Sequence, residues 1–156
     1  MNSSSVSAAP DPLLRTLAEF RFELRRFLSF SEGAALEAGL QPKQHQLLLQ
    51  VAGALEPTAV TITYAAERLN LKHNSTVELV NRSEREGLLE RTADANDKRR
   101  AILRLTAKGK RVLRRLSEDH ARELNEMAPR LIHALERIRS HAPALLAHDK
   151  DKGEGR

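Results

Sequence analysis

Asp97, Lys98, Arg99 and Arg100 form a cluster of charge between two short apolar-bearing runs. The run before it reads Leu-Leu-Glu-Arg-Thr-Ala from Leu88, and the run after it reads Ala-Ile-Leu-Arg-Leu-Thr from Ala101. Two such runs around a polar tip predict a β-hairpin. Three cations on an exposed tip suit contact with a polyanion, and duplex DNA is the polyanion that fits best. From Lys98 to Arg115 there are nine Lys or Arg and no Asp or Glu, so the basic stretch continues into the next element. A basic hairpin of no particular context is as readily a solvated surface, so the segment before it decides between the two.

That segment is helical. Val77, Leu79 and Val80, with Thr76, give a buried side to a helix starting near His73–Ser75 and ending before Gly87. Asn74 or Ser75 is the expected cap. Asn74, Ser75, Glu78, Asn81, Arg82 and Arg85 supply its polar surface. Before it, a shorter helix from about Thr63 to Leu69 carries Ala65, Ala66 and Leu69, and Asn70 is placed to end it in a left-handed conformation. Only about three residues separate the two, the spacing of a helix-turn-helix. Helix, turn, helix, glycine and basic hairpin is the order of a winged helix-turn-helix. Val60-Thr61-Ile62 favours β-structure and is the expected third strand of the wing sheet.

The flanks are long striped helices. Leu13, Leu17, Phe20, Leu24, Phe27 and Leu28 recur at three- and four-residue steps in a helix from about Pro12 to Glu37. Pro42 opens a second helix, to about Ala54, apolar on more than one side. Thr106 is the expected cap of a helix from Ala107 to about Met127, striped by Leu113, Leu116, Leu124 and Met127. Pro129 is read as opening a further helix to about Ala142. Helices this long and narrowly striped need something to pack against, and a second copy of the chain would serve, so a homodimer is expected.

The fold class is therefore mostly α with a small β-hairpin wing. The expected layout is a tail at 1–11, helical dimerisation segments at 12–40 and 107–145, a winged helix-turn-helix at 41–106, and a second tail at 146–156.

The 156 residues suffice for one domain with a real core. The net charge of +5 favours an acidic partner. There is no cysteine, which rules out disulfides, thiolate metal sites and thiol redox sensing and fits a reducing cytoplasm. Residues 1–12 lack the basic start and apolar run of a signal peptide, and no stretch is long enough for a membrane span. The six histidines include no His-x-x-x-His pair, so no metal or other cofactor is expected. His120, on an apolar stripe, reads as an interface histidine with its bonds made. No Ser-His-Asp arrangement, Gly-rich phosphate loop or paired acids point to an enzyme.

The run from Thr61 to Leu113 resembles the MarR family of bacterial winged-helix transcription regulators. The resemblance rests on Ala66-Glu67-Arg68-Leu69, on Ser75-Thr76-Val77-Glu78-Leu79-Val80-Asn81-Arg82, and on Glu86-Gly87-Leu88-Leu89-Glu90-Arg91. Its most specific part is Asn96-Asp97-Lys98-Arg99-Arg100, closed by Arg104-Leu105-Thr106-Ala107-Lys108-Gly109. Ala65, Ser83, Asn81 in place of an Asp, and Lys72-His73-Asn74 depart from the family's usual residues.

The resemblance implies a homodimer on a pseudo-palindromic operator, with the helix from His73 in the major groove. His73, Asn74, Ser75, Glu78 and Arg82 would then be the readers of base edges. The two recognition helices would stand about 34–36 Å apart. Arg99 would reach the adjacent minor groove, oriented by Asp97, with Lys98 and Arg100 on phosphates. Lys108, Lys110 and Arg111 are weaker candidates for backbone contact. Many relatives bind small aromatic or phenolic anions in a cleft beside the dimer helices. Phe27, Phe30, His45 and the Leu47–Leu49 run, Leu48 among them, would line it here, although each is also an ordinary core residue by type. The expectation is a repressor released by such an effector. The competing expectation is a winged-helix module that binds protein, without DNA specificity.

Overall fold

A computed structural model describes residues 11–151 apart from Glu56, Ala95, Asn96 and Lys98. The expectations for Lys98, for residues 1–10 and for residues 152–156 lie outside the described residues. The elements in order are α1 (Pro12–Glu37), α2 (Pro42–Ala52), α3 (Ile62–Leu69), α4 (His73–Arg85), β1 (Leu89–Ala93), β2 (Ala101–Leu105) and α5 (Ala107–Asp151). The chain falls into two compact units. One holds the residues up to Ser29 and those from Arg122 onward, and the other is Phe30–Ala121.

The second unit is built on a leucine-rich core. Leu47 and Leu48 of α2, Val80 of α4, and Leu88, Leu89 and Leu103 of the hairpin are all but removed from water. Burying an aliphatic side chain of this size is worth about 1.5–3 kcal/mol. The connections show why the chain turns where it does. Asn70 takes φ 50° and closes α3 with its N–H on the carbonyls of Ala66 and Glu67. Gly87 takes φ 69°, which an L side chain resists, and lets the chain leave α4 for β1. Thr106 joins hairpin to helix: its hydroxyl donates to the Gly87 carbonyl at 2.6 Å and accepts from the Gly109 N–H at 3.1 Å. Gly109 has no side chain because a Cβ there would stand 2.0 Å from the Leu88 carbonyl oxygen.

β1 and β2 form an antiparallel pair with Leu89 opposite Leu105 and Ala93 opposite Ala101. The expected third strand is not formed. Thr61 instead caps α3, accepting from the Tyr64 N–H at 3.2 Å, and Ile62 is already helical. Val60 keeps one strand-like bond, its carbonyl accepting from the Leu103 N–H at 2.8 Å.

The first unit contains the N-terminal part of α1 and the C-terminal part of α5. Glu23 is 7% exposed, with its carboxylate 3.0 Å from Nε of Arg130 and 3.5 Å from a guanidinium nitrogen of Arg26. Met127 and Ala134 are buried as well. Large apolar side chains remain in water here: Leu14, Phe22, Leu28 and Ile132 are each more than half exposed.

The expected break at Pro129 does not occur, since α5 runs through it without interruption to Asp151. Proline lacks an N–H, so the helix gives up one internal bond at that turn. The helix includes 146–151 as well.

Candidate nucleic-acid interface

α4 turns one side to the core and the other to water. Thr76, Val80 and Ser83 face inward and are buried. Thr76 and Ser83 turn their hydroxyls onto the helix's own carbonyls, at Lys72 (3.1 Å) and Leu79 (2.9 Å), so neither brings an unsatisfied polar group into the core. His73, Asn74, Ser75, Glu78 and Arg82 are all exposed, as are Asn81 and Arg85. The helix start differs from the expected one. Lys72 is the N-cap, with no bond from its side chain, and Asn74 and Ser75 lie inside the first turn rather than capping it. The first turn of α4 therefore presents its N–H groups together with the side chains of His73, Asn74 and Ser75.

The hairpin tip is shaped by Asp97. Its Oδ1 accepts from the Arg99 N–H and its carbonyl from the Arg100 N–H, both at 2.9 Å. This is a side-chain-supported turn of the kind aspartate favours. Asp97 thus acts on the backbone of Arg99, fixing where that side chain emerges. Arg99 is exposed. Arg100 is also exposed, with its guanidinium 3.8 Å from the carboxylate of Asp94, so part of its charge is answered within the hairpin.

Sequence reasoning did not single out the link between these two surfaces. The guanidinium of Arg91 on β1 pairs with the carboxylate of Glu84 and donates to Oδ1 of Asn81 at 2.7 Å. The Arg91 backbone N–H also donates to Glu84, at 3.2 Å. Two α4 side chains thereby hold the first wing strand to the helix. The only signal for this in the chain is a Glu and an Arg seven residues apart across Gly87. Lys108, a weak candidate for DNA backbone, donates to the Glu86 carbonyl at 2.8 Å, while Lys110 and Arg111 are exposed.

Beside the wing tip lies a groove of about 630 Å³, lined by Thr61, Thr63 and Tyr64 at the start of α3 and by Arg99 and Arg100. It joins polar hydroxyls to two guanidiniums. The α3 residues in it were not anticipated, because their type alone suggested only a helix start.

Of the expected effector residues, His45 and Phe30 both meet His120. Leu48 is fully buried in the core of the second unit, and His45, 4% exposed, packs against His120. Phe30 is half-buried in the same unit, and Phe27, also half-buried, belongs to the first. Among the described residues no three His, Cys, Asp or Glu side chains gather in a way that could hold a metal, and no helix is long and apolar enough to cross a membrane.

Residues 38–100 match the model of the MarR family. No curated protein sequence gives a significant match. Solved structures share the fold at low identity. Wild-type MarR of Escherichia coli in its apo form is 17% identical with a TM-score of 0.58, covering 94% of this chain and 99% of that one. The Staphylococcus aureus MepR–DNA complex is 18% identical with a TM-score of 0.62, covering 83% and 94%. CouR of Rhodococcus jostii, bound to p-coumaroyl-CoA, is 18% identical with a TM-score of 0.66, covering 87% and 95%.

Proposed function

We propose that this chain, MarR-like in its fold and in residues 38–100, is a homodimeric regulator of transcription that binds double-stranded DNA in the cytoplasm. One observation carries the reading: α4, with its exposed polar side, and the first strand of the hairpin that bears the basic tip are held together by Arg91. α4 enters the major groove, where His73, Asn74, Ser75, Glu78 and Arg82 meet base edges. Arg99 reaches the minor groove next to it and Arg100 serves a phosphate. The tip that Asp97 shapes supplies affinity on most sequences, whereas α4 supplies the choice among them.

The homodimer is supported by the leucines left in water on α1 and α5, and a pseudo-palindromic operator follows from its two-fold symmetry. Repression released by a small aromatic ligand is the finest part of the proposal. Phe30, His120 and His45 form a run of rings, and the R. jostii neighbour is bound to p-coumaroyl-CoA. Because His45 and Leu48 are buried, a ligand there would act by opening packing, which couples its binding to conformation.

Selection of bound fragments from the source genome tests the reading. The parent should enrich one pseudo-palindromic sequence, and Asn74→Ala should change which bases are enriched. Enrichment of no sequence by the parent would favour a protein-binding module and overturn the proposal.

A further inference from the structure

Three helices of the Phe30–Ala121 unit meet at two imidazoles. His45 of α2 and His120 of α5 have ring centroids 4.7 Å apart, and Phe30 of α1 meets His120 edge-on at 5.4 Å. Nδ1 of His120 lies 2.6 Å from the Leu116 carbonyl, which can only accept, so that nitrogen carries the hydrogen. Nε2 lies 2.7 Å from Oγ of Ser31, from which the neutral ring accepts. The neutral His120 is therefore satisfied on both sides. A proton added at Nε2 turns that bond around and puts an imidazolium against His45, which water hardly reaches.

We propose that the His45–His120 pair is a proton-operated latch. Unprotonated, it holds α1, α2 and α5 together; protonated in mildly acidic solution, it loosens that junction and weakens DNA binding. Two imidazolium charges at this separation would repel each other. Burial, and after it the charge of His120, hold the His45 imidazole below its usual range. The sign follows from that depression. The unfolded chain takes up its proton near the ordinary value of about 6.5, so the latch stabilises the fold above that pH and loses its contribution as the pH falls through it.

Phe30 and Ser31 of α1 contact His120 directly. By position in the chain, the charged neighbours of the pair include Glu32 and Glu37 of α1, Lys43 of α2, and Arg115, Glu118 and Asp119 of α5. Glu37, Arg115 and Asp119 line a separate hollow with Ala34, Ala38 and Leu116. None of these charges is among the causes of the His45 depression. α2 packs on α3, α4 and β2, so a shift at His45 is felt by the elements that carry the polar interface. The effect on DNA rests on the function proposed above; the effect on packing does not.

Histidine resonances and thermal unfolding of the full chain, followed from about pH 8 to pH 5, test the packing part. One resonance should titrate below the rest and vanish in His45→Gln. The parent's Tm should fall by several degrees more on acidification than that of either His45→Gln or His120→Gln. A His45 resonance titrating with the exposed histidines, or equal Tm losses in parent and variants, overturns the latch. Anisotropy with a selected duplex at fixed salt tests the coupling. The parent should lose about tenfold in affinity on acidification and the variants under about twofold, within the usual span of coupling energies. A Tm response without that loss overturns the coupling alone, and binding to no duplex at any pH overturns the functional reading while the resonances still judge the latch.

Discussion

The two compact units treat their apolar residues in opposite ways. Around α2 and the hairpin most leucines vanish into a closed core, with Leu36, Leu49 and Leu55 left exposed, and the outward side of α4 is polar. Along the N-terminal part of α1 and the C-terminal part of α5, leucines and isoleucine stand in water while a glutamate is buried against two half-exposed arginines. The first pattern belongs to a surface meant to stay wet until a polar partner arrives. The second supports the pairing face proposed above, because exposed apolar side chains gain by being covered. On the function proposed above, the contrast would divide the work of the chain: one unit to read DNA, the other to pair with a second copy.

Three changes would break or sharpen this contrast. The largest effect is expected from Leu48→Ala, which empties a site in the closed core. It should cost about 2–5 kcal/mol in denaturant unfolding, whatever the protein concentration. Next comes the pair Leu28→Asp with Ile132→Asp, both more than half exposed at present. Here the fold should survive, while sedimentation shows the dimer dissociating at concentrations at least about tenfold higher, equivalent to roughly 1.4 kcal/mol. Unfolding without a change in association would mean that these residues belong to a core after all. The smallest effect is expected from Arg91→Ala, which frees β1 from Glu84 and Asn81. Affinity for a selected duplex should drop a few-fold with the preferred sequence unchanged, and hydrogen exchange in the hairpin should quicken. A changed sequence preference would make Arg91 a reader of bases instead of a brace.

What the chain disclosed beforehand was mostly local. Asn70 and Gly87 announce chain reversals because few other residues tolerate positive φ, and Thr106 announces a helix because its hydroxyl can cap one. The outward side of α4 was legible from residue type and helical period. The failures have physical causes as well. Pro129 has the backbone geometry of a helix start, and only its surroundings determine that the helix continues through it. Val60-Thr61-Ile62 has strand propensity, yet Thr61 gains more by capping α3, and a single bond from Leu103 is all that remains of the strand. Arg91 was invisible because its partners depend on how the hairpin folds back on α4. His45 and His120 lie 75 residues apart, and nothing in either neighbourhood signals the other.

The central claim is that the basic tip and the exposed side of α4 grip duplex DNA. Anisotropy of a labelled duplex across a range of salt concentrations, with the parent and Arg99→Ala side by side, addresses it most directly. The account predicts affinity that falls steeply and log-linearly with salt, and a slope shallower by about one in the variant if Arg99 displaces one counterion. Binding that ignores salt, or identical slopes and affinities for the two proteins, would contradict it.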